Sequence, residues 1–208
     1  MDVKVQTGMT KTVKGTSLVA LSLVSEQKEQ VCALLQIQAA AQEAKTLEKE
    51  FVMVLEHALL ETEGEAGTRL DGTLKELNGL LKGLLLSRAI DAVNAIVAIA
   101  DTSGTLHVSH AGSAEAYIIR GGAASQITEY TRGKPTPAFV HIASGTLEPR
   151  DAVVLSTQRL LRAVTPAQLA QLATRGEQLL EDLIFELESE KEVASLGLVQ
   201  VGGQRGQM

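Results

Sequence analysis

The histidines are the residues of this sequence with the most versatile chemistry, but their spacing does not bring them together. His107 and His110 lie three positions apart on a predicted strand. Successive side chains of a strand point to opposite faces, so these two rings cannot chelate one ion. His57 and His141 each stand alone in the sequence. We therefore expect no metal site built on histidine.

Cys32 is the only cysteine, which excludes an internal disulfide and a cysteine-based zinc site. A single thiol fits a reducing cytoplasm, where we expect the protein to reside. Residues 30–34, which surround it, are interpreted as a helix face. Free cysteines are among the most buried residues, so we interpret Cys32 as an inert core thiol on a helix.

The carboxylates also form no recognisable catalytic pattern. Asp101 precedes Thr-Ser-Gly, which is typical of a turn. The acidic run 181–192 contains Lys191 as its only base and lacks the ligand spacing of a calcium loop, which favours a solvated helix face. Glu115 and Asp151 are the candidates for a residual polar pocket. Neither a phosphate-binding glycine loop nor a GxSxG nucleophile elbow is present.

Composition excludes further classes of function. The 208 residues carry a net charge of -6, and Lys and Arg are scattered among acids, so nucleic acid is not an expected partner. Residues are 45% hydrophobic but only 2% aromatic, which predicts a core of Leu, Val, Ile and Ala. No run approaches the roughly 18 apolar residues of a membrane span, and the charged start does not resemble a signal peptide.

The first half of the sequence predicts two strands and a helical hairpin. Residues 3–24 are rich in Val, Thr and Leu, as strands are. From residue 26 to 62, apolar residues recur every three or four positions, and the pattern resumes after Gly64 and Gly67. We interpret residues 26–88 as an antiparallel helical hairpin. The alternative is a free-standing coiled-coil dimer.

The second half predicts a run of antiparallel strands, then two helices and a closing strand. The strand segments are 93–100, 105–110, 116–120, 125–130, 139–143 and 152–156. Helices follow over 165–189, a strand over 195–201, and a flexible tail over 202–208. This order predicts an α+β fold, a layered α-β-β-α sandwich of two antiparallel sheets in one domain over 1–201.

Three segments of the sequence, in this order, resemble the PPM-type (type 2C) metal-dependent serine/threonine phosphatases. Residues 106–122 (LHVSHAGSAEAYIIRGG) resemble the family's strand-GDSRAY-strand hairpin. Residues 147–161 (LEPRDAVVLSTQRLL) resemble its PGD-strand-SDGL segment, and residues 193–201 (VASLGLVQV) lie where the family has a closing DNxT strand. The resemblance extends over most of 1–201 and implies the same fold.

The resemblance also implies that the aspartates of the metal site are missing. Ser113 stands for the Asp of GDS, Gln158 and Arg159 for the Asp-Gly of SDGL, and Ala194 and Ser195 for Asp-Asn. The family's DGMGG turn corresponds to residues 25–28, Ser-Glu-Gln-Lys. The family uses two hard divalent cations, which require oxygen ligands, chiefly carboxylates. We expect no metal and no cofactor.

These substitutions favour a pseudophosphatase, a regulatory or scaffolding module that binds a protein partner. Two alternatives remain: a phosphatase with an altered metal site, and a structural oligomer built on the helical hairpin. A helix of residues 26–62 would be about 55 Å long, more than the depth of a domain of this size. Leu55 and Leu59 would then be exposed near its tip. They are the predicted contacts for a protein partner or for self-association.

Overall fold

The computed structural model describes residues 1–128 and 135–203, and in this part of the chain ten strands form two five-stranded antiparallel sheets. The strands are β1 (Val3–Met9), β2 (Thr16–Val24), β3 (Gln30–Gln38), β4 (Ala92–Ala100), β5 (Thr105–Ala111), β6 (Glu115–Arg120), β7 (Ala123–Gln126), β8 (Ala143–Thr146), β9 (Ala152–Ser156) and β10 (Ser195–Val201). Sheet A has the order β1-β10-β9-β6-β7, and sheet B has the order β2-β3-β4-β5-β8.

Four α-helices accompany the sheets in the described residues. They are α1 (Ala41–Leu55), α2 (Ala66–Leu86), α3 (Pro166–Ala173) and α4 (Leu179–Ser189). A π-helical turn, Glu56–Leu60, continues α1, and short 3-10 turns occur at Leu160–Arg162 and Gly176–Gln178. None of these helices has the length and apolar character needed to cross a bilayer.

Three apolar clusters separate the layers of the fold. One lies between sheet B and the α1–α2 hairpin, and includes Phe51, Leu77 and Val97. A second lies between sheet A and the pair α3–α4, and includes Leu183 and Leu198. The third lies between the two sheets. The predicted α-β-β-α sandwich of two antiparallel sheets is confirmed.

The helical hairpin begins later than the sequence pattern predicted. Residues 26–40 were expected to start the first helix, but Gln30–Gln38 form β3, which pairs with β2 on one side and β4 on the other. Residues 31–37 are buried throughout, because one face of β3 packs on the hairpin and the other on sheet A. A strand buried on both faces shows no alternation of apolar and polar residues, so its periodicity does not distinguish it from a helix.

The shorter first helix also corrects the prediction for Leu55 and Leu59. The helix α1 has 15 residues and is therefore about 22 Å long, so it does not extend beyond the sandwich as a 55 Å helix would. The π-helical turn at its end directs the chain into α2. Leu55 and Leu59 are both 0% exposed and belong to the cluster between the hairpin and sheet B. They are core residues and do not form an exposed flank.

Local signals in the second half of the sequence were more reliable. Gly121 and Gly122, with φ of 59° and 79°, form the tight turn between β6 and β7. Thr165 caps α3 in a capping box with Gln168, as the Thr-Pro pair indicated. The strand predicted over 139–143 is instead Ala143–Thr146. Residues 129–130 of the strand predicted over 125–130, and 204–208 of the tail, lie outside the described residues.

Candidate functional site

Polar residues from both sheets meet at one end of the sandwich. Gln36 near the end of β3 lies opposite Asn94 near the start of β4. In sheet A, β10 starts at Ser195 and runs antiparallel to β9, so Ser195 lies beside Thr157, which follows β9. Ser113 lies in the turn between β5 and β6. We call the set Gln36, Asn94, Ser113, Thr157 and Ser195 the polar end.

Side-chain hydrogen bonds at the polar end join the two sheets directly. The Thr157 hydroxyl donates to the Gln36 side-chain carbonyl at 2.7 Å and accepts from the Ser195 backbone N–H at 2.9 Å. The Ser195 hydroxyl donates to the backbone carbonyl of Leu35, in sheet B, at 3.2 Å. All three polar side chains are buried. This network is neutral, and its groups satisfy one another.

Ala194 is held by the residue that follows β1. The Thr10 backbone N–H donates to the Ala194 carbonyl at 3.1 Å, and the Ala194 N–H donates to the Thr10 hydroxyl at 3.0 Å. These two bonds close the end of the β1–β10 pair. The position that the resemblance assigns to an aspartate therefore carries a methyl group, and its backbone is fixed just before the start of β10.

Ser113 is fixed by Asn94 through its backbone. Its N–H donates to the Asn94 side-chain oxygen at 2.9 Å. The preceding Gly112 has φ +69°, and a Cβ there would lie 2.3 Å from the same oxygen. Only glycine therefore allows Asn94 to approach this turn.

The carboxylate of Glu115 lies beside the polar end but on the other face of sheet A. Residues 115, 117 and 119 share one face of β6. Tyr117 and Ile119 on that face pack with α3 and α4. Glu115 is 3% exposed and accepts a hydrogen bond from the Leu160 backbone N–H at 3.2 Å. Its contact is therefore with the 3-10 turn that follows β9.

The pKa of the Tyr117 hydroxyl depends on two charged residues near this turn. Burial and the neighbouring carboxylate of Glu115 together raise the pKa of its hydroxyl to about 12, while the positive charge of Arg159 opposes the rise. Arg159 immediately precedes the 3-10 turn Leu160–Arg162. A guanidinium thus stands at the position that the resemblance assigns to the glycine of SDGL, next to Gln158.

Asp151, the other carboxylate proposed for a residual pocket, lies at the opposite end of β9. Its two oxygens accept from Arg120 at 2.9 and 2.6 Å, and one also accepts from the Glu148 N–H at 2.7 Å. Burial alone would raise the pKa of Asp151, but these bonds and the charge of Arg120 bring it below its usual value. Asp151 and Glu115 therefore share no pocket.

The strand-to-helix turn that the resemblance equates with DGMGG was placed wrongly. Residues 25–28 form the turn between β2 and β3, where Lys28 has φ 68° and donates its N–H to the Ser25 carbonyl. The connection from the strand to the first helix is Ala39-Ala40, between Gln38 and Ala41. The corrected position, Ala39-Ala40, contains no acidic residue.

Cys32 lies on β3, not on a helix, and is 1% exposed. Burial raises the pKa of its thiol to about 12. A Cβ on Gly197 would lie 2.5 Å from its sulfur, so the thiol fills the space between the two sheets. Such a thiol is almost entirely protonated at neutral pH and unreactive.

Sequence reasoning missed most of the residues that form the polar end. It identified Ser113, Gln158, Arg159, Ala194 and Ser195 through the resemblance, and the structure brings them near one another. The partners Gln36, Asn94, Thr157 and Thr10 were not predicted. Two of these residues could have been found from the sequence. Gln36 and Asn94 are polar residues inside largely apolar strands, and a buried polar residue is informative.

This chain was compared with known protein families, curated proteins and solved structures. No protein-family model matches the sequence, and a search of curated proteins found no match. Solved structures do match over nearly the whole chain. A serine/threonine phosphatase of S. agalactiae superposes with a TM-score of 0.76 at 13% identity, over 96% of this chain and 99% of that one.

Two further solved structures show the same likeness. PppA of Pseudomonas aeruginosa, described as a key regulatory component of T6SS, has a TM-score of 0.71 at 13% identity, over 95% of this chain and 96% of that one. RsbX in complex with magnesium has a TM-score of 0.66 at 14% identity, over 96% of both chains. The chain has the PPM phosphatase fold.

Proposed function

We propose that this chain is a PPM phosphatase-like module, inactive as a phosphatase, that acts by binding a protein partner in a regulatory or scaffolding role. The observation that carries the proposal is the hydrogen-bond network of the polar end. Thr157, Gln36 and Ser195 connect the two sheets through neutral groups. A phosphatase of this fold would place carboxylates around two divalent cations there.

The described residues do not fit such a pair of cations. Hard cations require several oxygen ligands, of which carboxylates contribute most of the binding. Within the described part of the chain, no group of three His, Cys, Asp or Glu side chains is placed to hold a metal ion. The carboxylate of Glu115 lies on the face of sheet A that packs with α3 and α4 and accepts a hydrogen bond from Leu160.

Arg159 stands where the resemblance has the glycine of SDGL, and its charge acts on Tyr117, on the face of sheet A that packs with α3 and α4. The PPM fold itself is retained, because the three apolar clusters and the neutral network of the polar end stabilise it without metal ligands.

A regulatory role is consistent with the proteins that share the fold. PppA is described as a regulatory component. If this chain has no phosphatase activity, it has to act by binding another molecule at the surface of the sandwich. A protein partner, including a second copy of the chain, is the class of ligand that we propose, with neither nucleic acid nor membrane involved.

The metal-binding half of the proposal is tested by adding millimolar Mn²⁺ to the purified protein. We expect no hydrolysis of an aryl phosphate above a heat-denatured control and no change in melting temperature, because a cation that binds the native state must raise it. The same scan with EDTA is the control. A rise of several degrees, or turnover that a chelator abolishes, would show that the protein is a metal-dependent enzyme.

A further inference from the structure

The end of the sandwich opposite to the polar end contains an open groove with a volume of about 780 Å³. Its walls are the first turn of α2 and the turn between β4 and β5, and its lining includes Gly67, Asp101, His107 and Ser144. Its volume lies in the range typical of small-molecule sites, roughly 300–1,000 Å³. Asn94 and Asp101 stand at opposite ends of β4, about 23 Å apart along the strand.

A serine, a histidine and an aspartate are aligned in this groove. Ser144 is an exposed residue of the edge strand β8 and lies directly across from His107 in β5. The Ser144 Oγ is 2.6 Å from His107 Nδ1. The other ring nitrogen, Nε2, is 3.7 Å from Asp101 Oδ2. The order hydroxyl, imidazole, carboxylate is that of a nucleophile, its base and a group that orients the base.

The carboxylate of Asp101 is fixed by its own turn. Its Oδ1 accepts from the Ser103 N–H at 3.0 Å, the Ser103 hydroxyl at 2.6 Å and the Thr105 N–H at 3.0 Å. These bonds leave Oδ2 to face the imidazole. Burial acts to raise the pKa of Asp101, but the hydrogen bonds and the nearby His107 lower it overall. An ionised Oδ2 favours the tautomer with the proton on Nε2, so Nδ1 is the acceptor that faces Ser144.

The imidazole is also held by the first turn of α2. A Cβ at Gly67 would lie 3.3 Å from His107 Cε1, so the helix backbone packs on the ring edge. The side chain of the N-cap residue, Glu65, makes no capping hydrogen bond. The first N–H groups of a helix have no acceptor within it, and here they belong to residues that line the groove.

We propose that Ser144, His107 and Asp101 form a second site, independent of the polar end, that hydrolyses small uncharged carboxylic esters. His107 Nδ1 takes the Ser144 hydroxyl proton as Oγ bonds to the ester carbonyl carbon, giving a tetrahedral oxyanion. The bond to the alkoxy group then breaks, and that group leaves as an alcohol with the proton from His107. Water, deprotonated by His107, attacks the acyl-serine, and the carboxylic acid leaves as Oγ regains its proton.

Charge in the groove selects the class of substrate. The acidic residues Glu29, Glu65 and Asp101 line it. Glu29 is paired with Arg69, but the other two leave the groove negative. Phosphate monoesters and other anions are repelled, whereas uncharged esters are not. Ser144 and His107 are the catalytic residues of this site, and Asp101 is a positioning residue.

The site is tested with a fluorophosphonate probe, which phosphonylates activated serines, and with p-nitrophenyl acetate as substrate. Peptide mapping of the labelled wild type is expected to find the adduct on Ser144. Ser144→Ala should abolish both labelling and turnover. Ser125→Ala, at an exposed serine of the edge strand of the other sheet, is the matched control and should change neither.

Two more variants separate catalysis from a structural contact. His107→Gln keeps a hydrogen-bonding side chain but no base, and should slow labelling at least tenfold, since general bases contribute on the order of 10²–10⁴. Asp101→Asn keeps the acceptor for the turn and should lower the labelling rate with little change in melting temperature. The proposal is overturned by an adduct elsewhere, by labelling no faster than in Ser144→Ala, or by a His107→Gln rate equal to wild type.

Discussion

Arg69 and Glu29 form a bidentate ion pair beneath the helical hairpin, with the Arg69 side chain 3% exposed and that of Glu29 5% exposed. The two guanidinium nitrogens donate to the two carboxylate oxygens at 3.0 and 2.8 Å. Arg69 also donates to the backbone carbonyls of Leu59 and Gly64. One residue of α2 thus connects the β2–β3 turn, the π-helical turn and the loop between the two helices.

Removing one member of this pair should destabilise the protein strongly. Arg69→Met leaves the Glu29 carboxylate buried without its cation, which typically costs about 3–5 kcal/mol of unfolding free energy. Urea denaturation followed by circular dichroism measures the change. Lys75→Met is the matched control, because Lys75 lies on the same helix in an exposed pair with Asp71 and should cost at most about 1 kcal/mol.

A second substitution distinguishes a buried charge from lost packing. In the variant Arg69→Met/Glu29→Leu no charge is left unpaired, so we expect it to be more stable than Arg69→Met alone. If both variants lose the same free energy, the ion pair is not the source of the destabilisation. The hydrogen bonds to Leu59 and Gly64 would then account for it.

Leu55 provides a test of the corrected hairpin. Leu55→Asp introduces a carboxylate into a fully buried position and should unfold the protein or cost several kcal/mol. Met53→Asp, on the same helix at a residue that is 62% exposed, should leave the circular dichroism spectrum unchanged. A folded Leu55→Asp protein with changed sedimentation would instead support the original prediction of a partner contact at this position.

Self-association remains a prediction that does not depend on Leu55 and Leu59. Sedimentation of the wild type at tens of micromolar tests it. A single species with the mass of one chain, 22.0 kDa, would exclude a second copy as the partner at that concentration.

The sequence predicted the arrangement of layers in the fold better than it predicted where individual strands and helices begin and end. Alternation and glycine turns placed most strands correctly, and the order of strands and helices along the chain predicted the sandwich. The pattern failed at β3, because a strand buried on both faces has no polar side to indicate its period. The length of the first helix and the exposure of Leu55 and Leu59 were wrong for the same reason.

The site was predictable only in part, because its contacts join distant segments. The resemblance identified which positions had lost their aspartates, for example Ser113 and Gln158. It did not indicate that Thr157 bonds to Gln36, which lies 121 positions away in the other sheet. The Arg69–Glu29 pair was missed because a charged residue on a helix resembles a solvated one until its depth is known.

Asp151 predicts a dependence of stability on pH. The bonds from Arg120 and Glu148 hold its folded-state pKa below the unfolded value, which is about 3.9. Stabilisation from Asp151 is therefore present above about pH 4 and is lost as the pH falls through the folded-state pKa. Asp151→Asn should be less stable than wild type at pH 7 and should lose less stability on acidification. Thermal melts between pH 7 and 2.5 measure both, and parallel curves for the two proteins would contradict the assignment.

Thr157 tests whether the neutral network of the polar end stabilises the contact between the sheets. Thr157→Val has nearly the same shape, but it leaves the Gln36 carbonyl without its donor and the Ser195 N–H without its acceptor. Each unsatisfied buried polar group costs about 1–3 kcal/mol, so for these two groups we expect a loss of roughly 2–6 kcal/mol in urea denaturation. Thr157→Ser keeps the hydroxyl and removes one methyl group, so it should lose only about 1 kcal/mol. A loss in Thr157→Val no larger than that in Thr157→Ser would mean that the hydrogen bonds contribute no more to stability at this end than one buried methyl group.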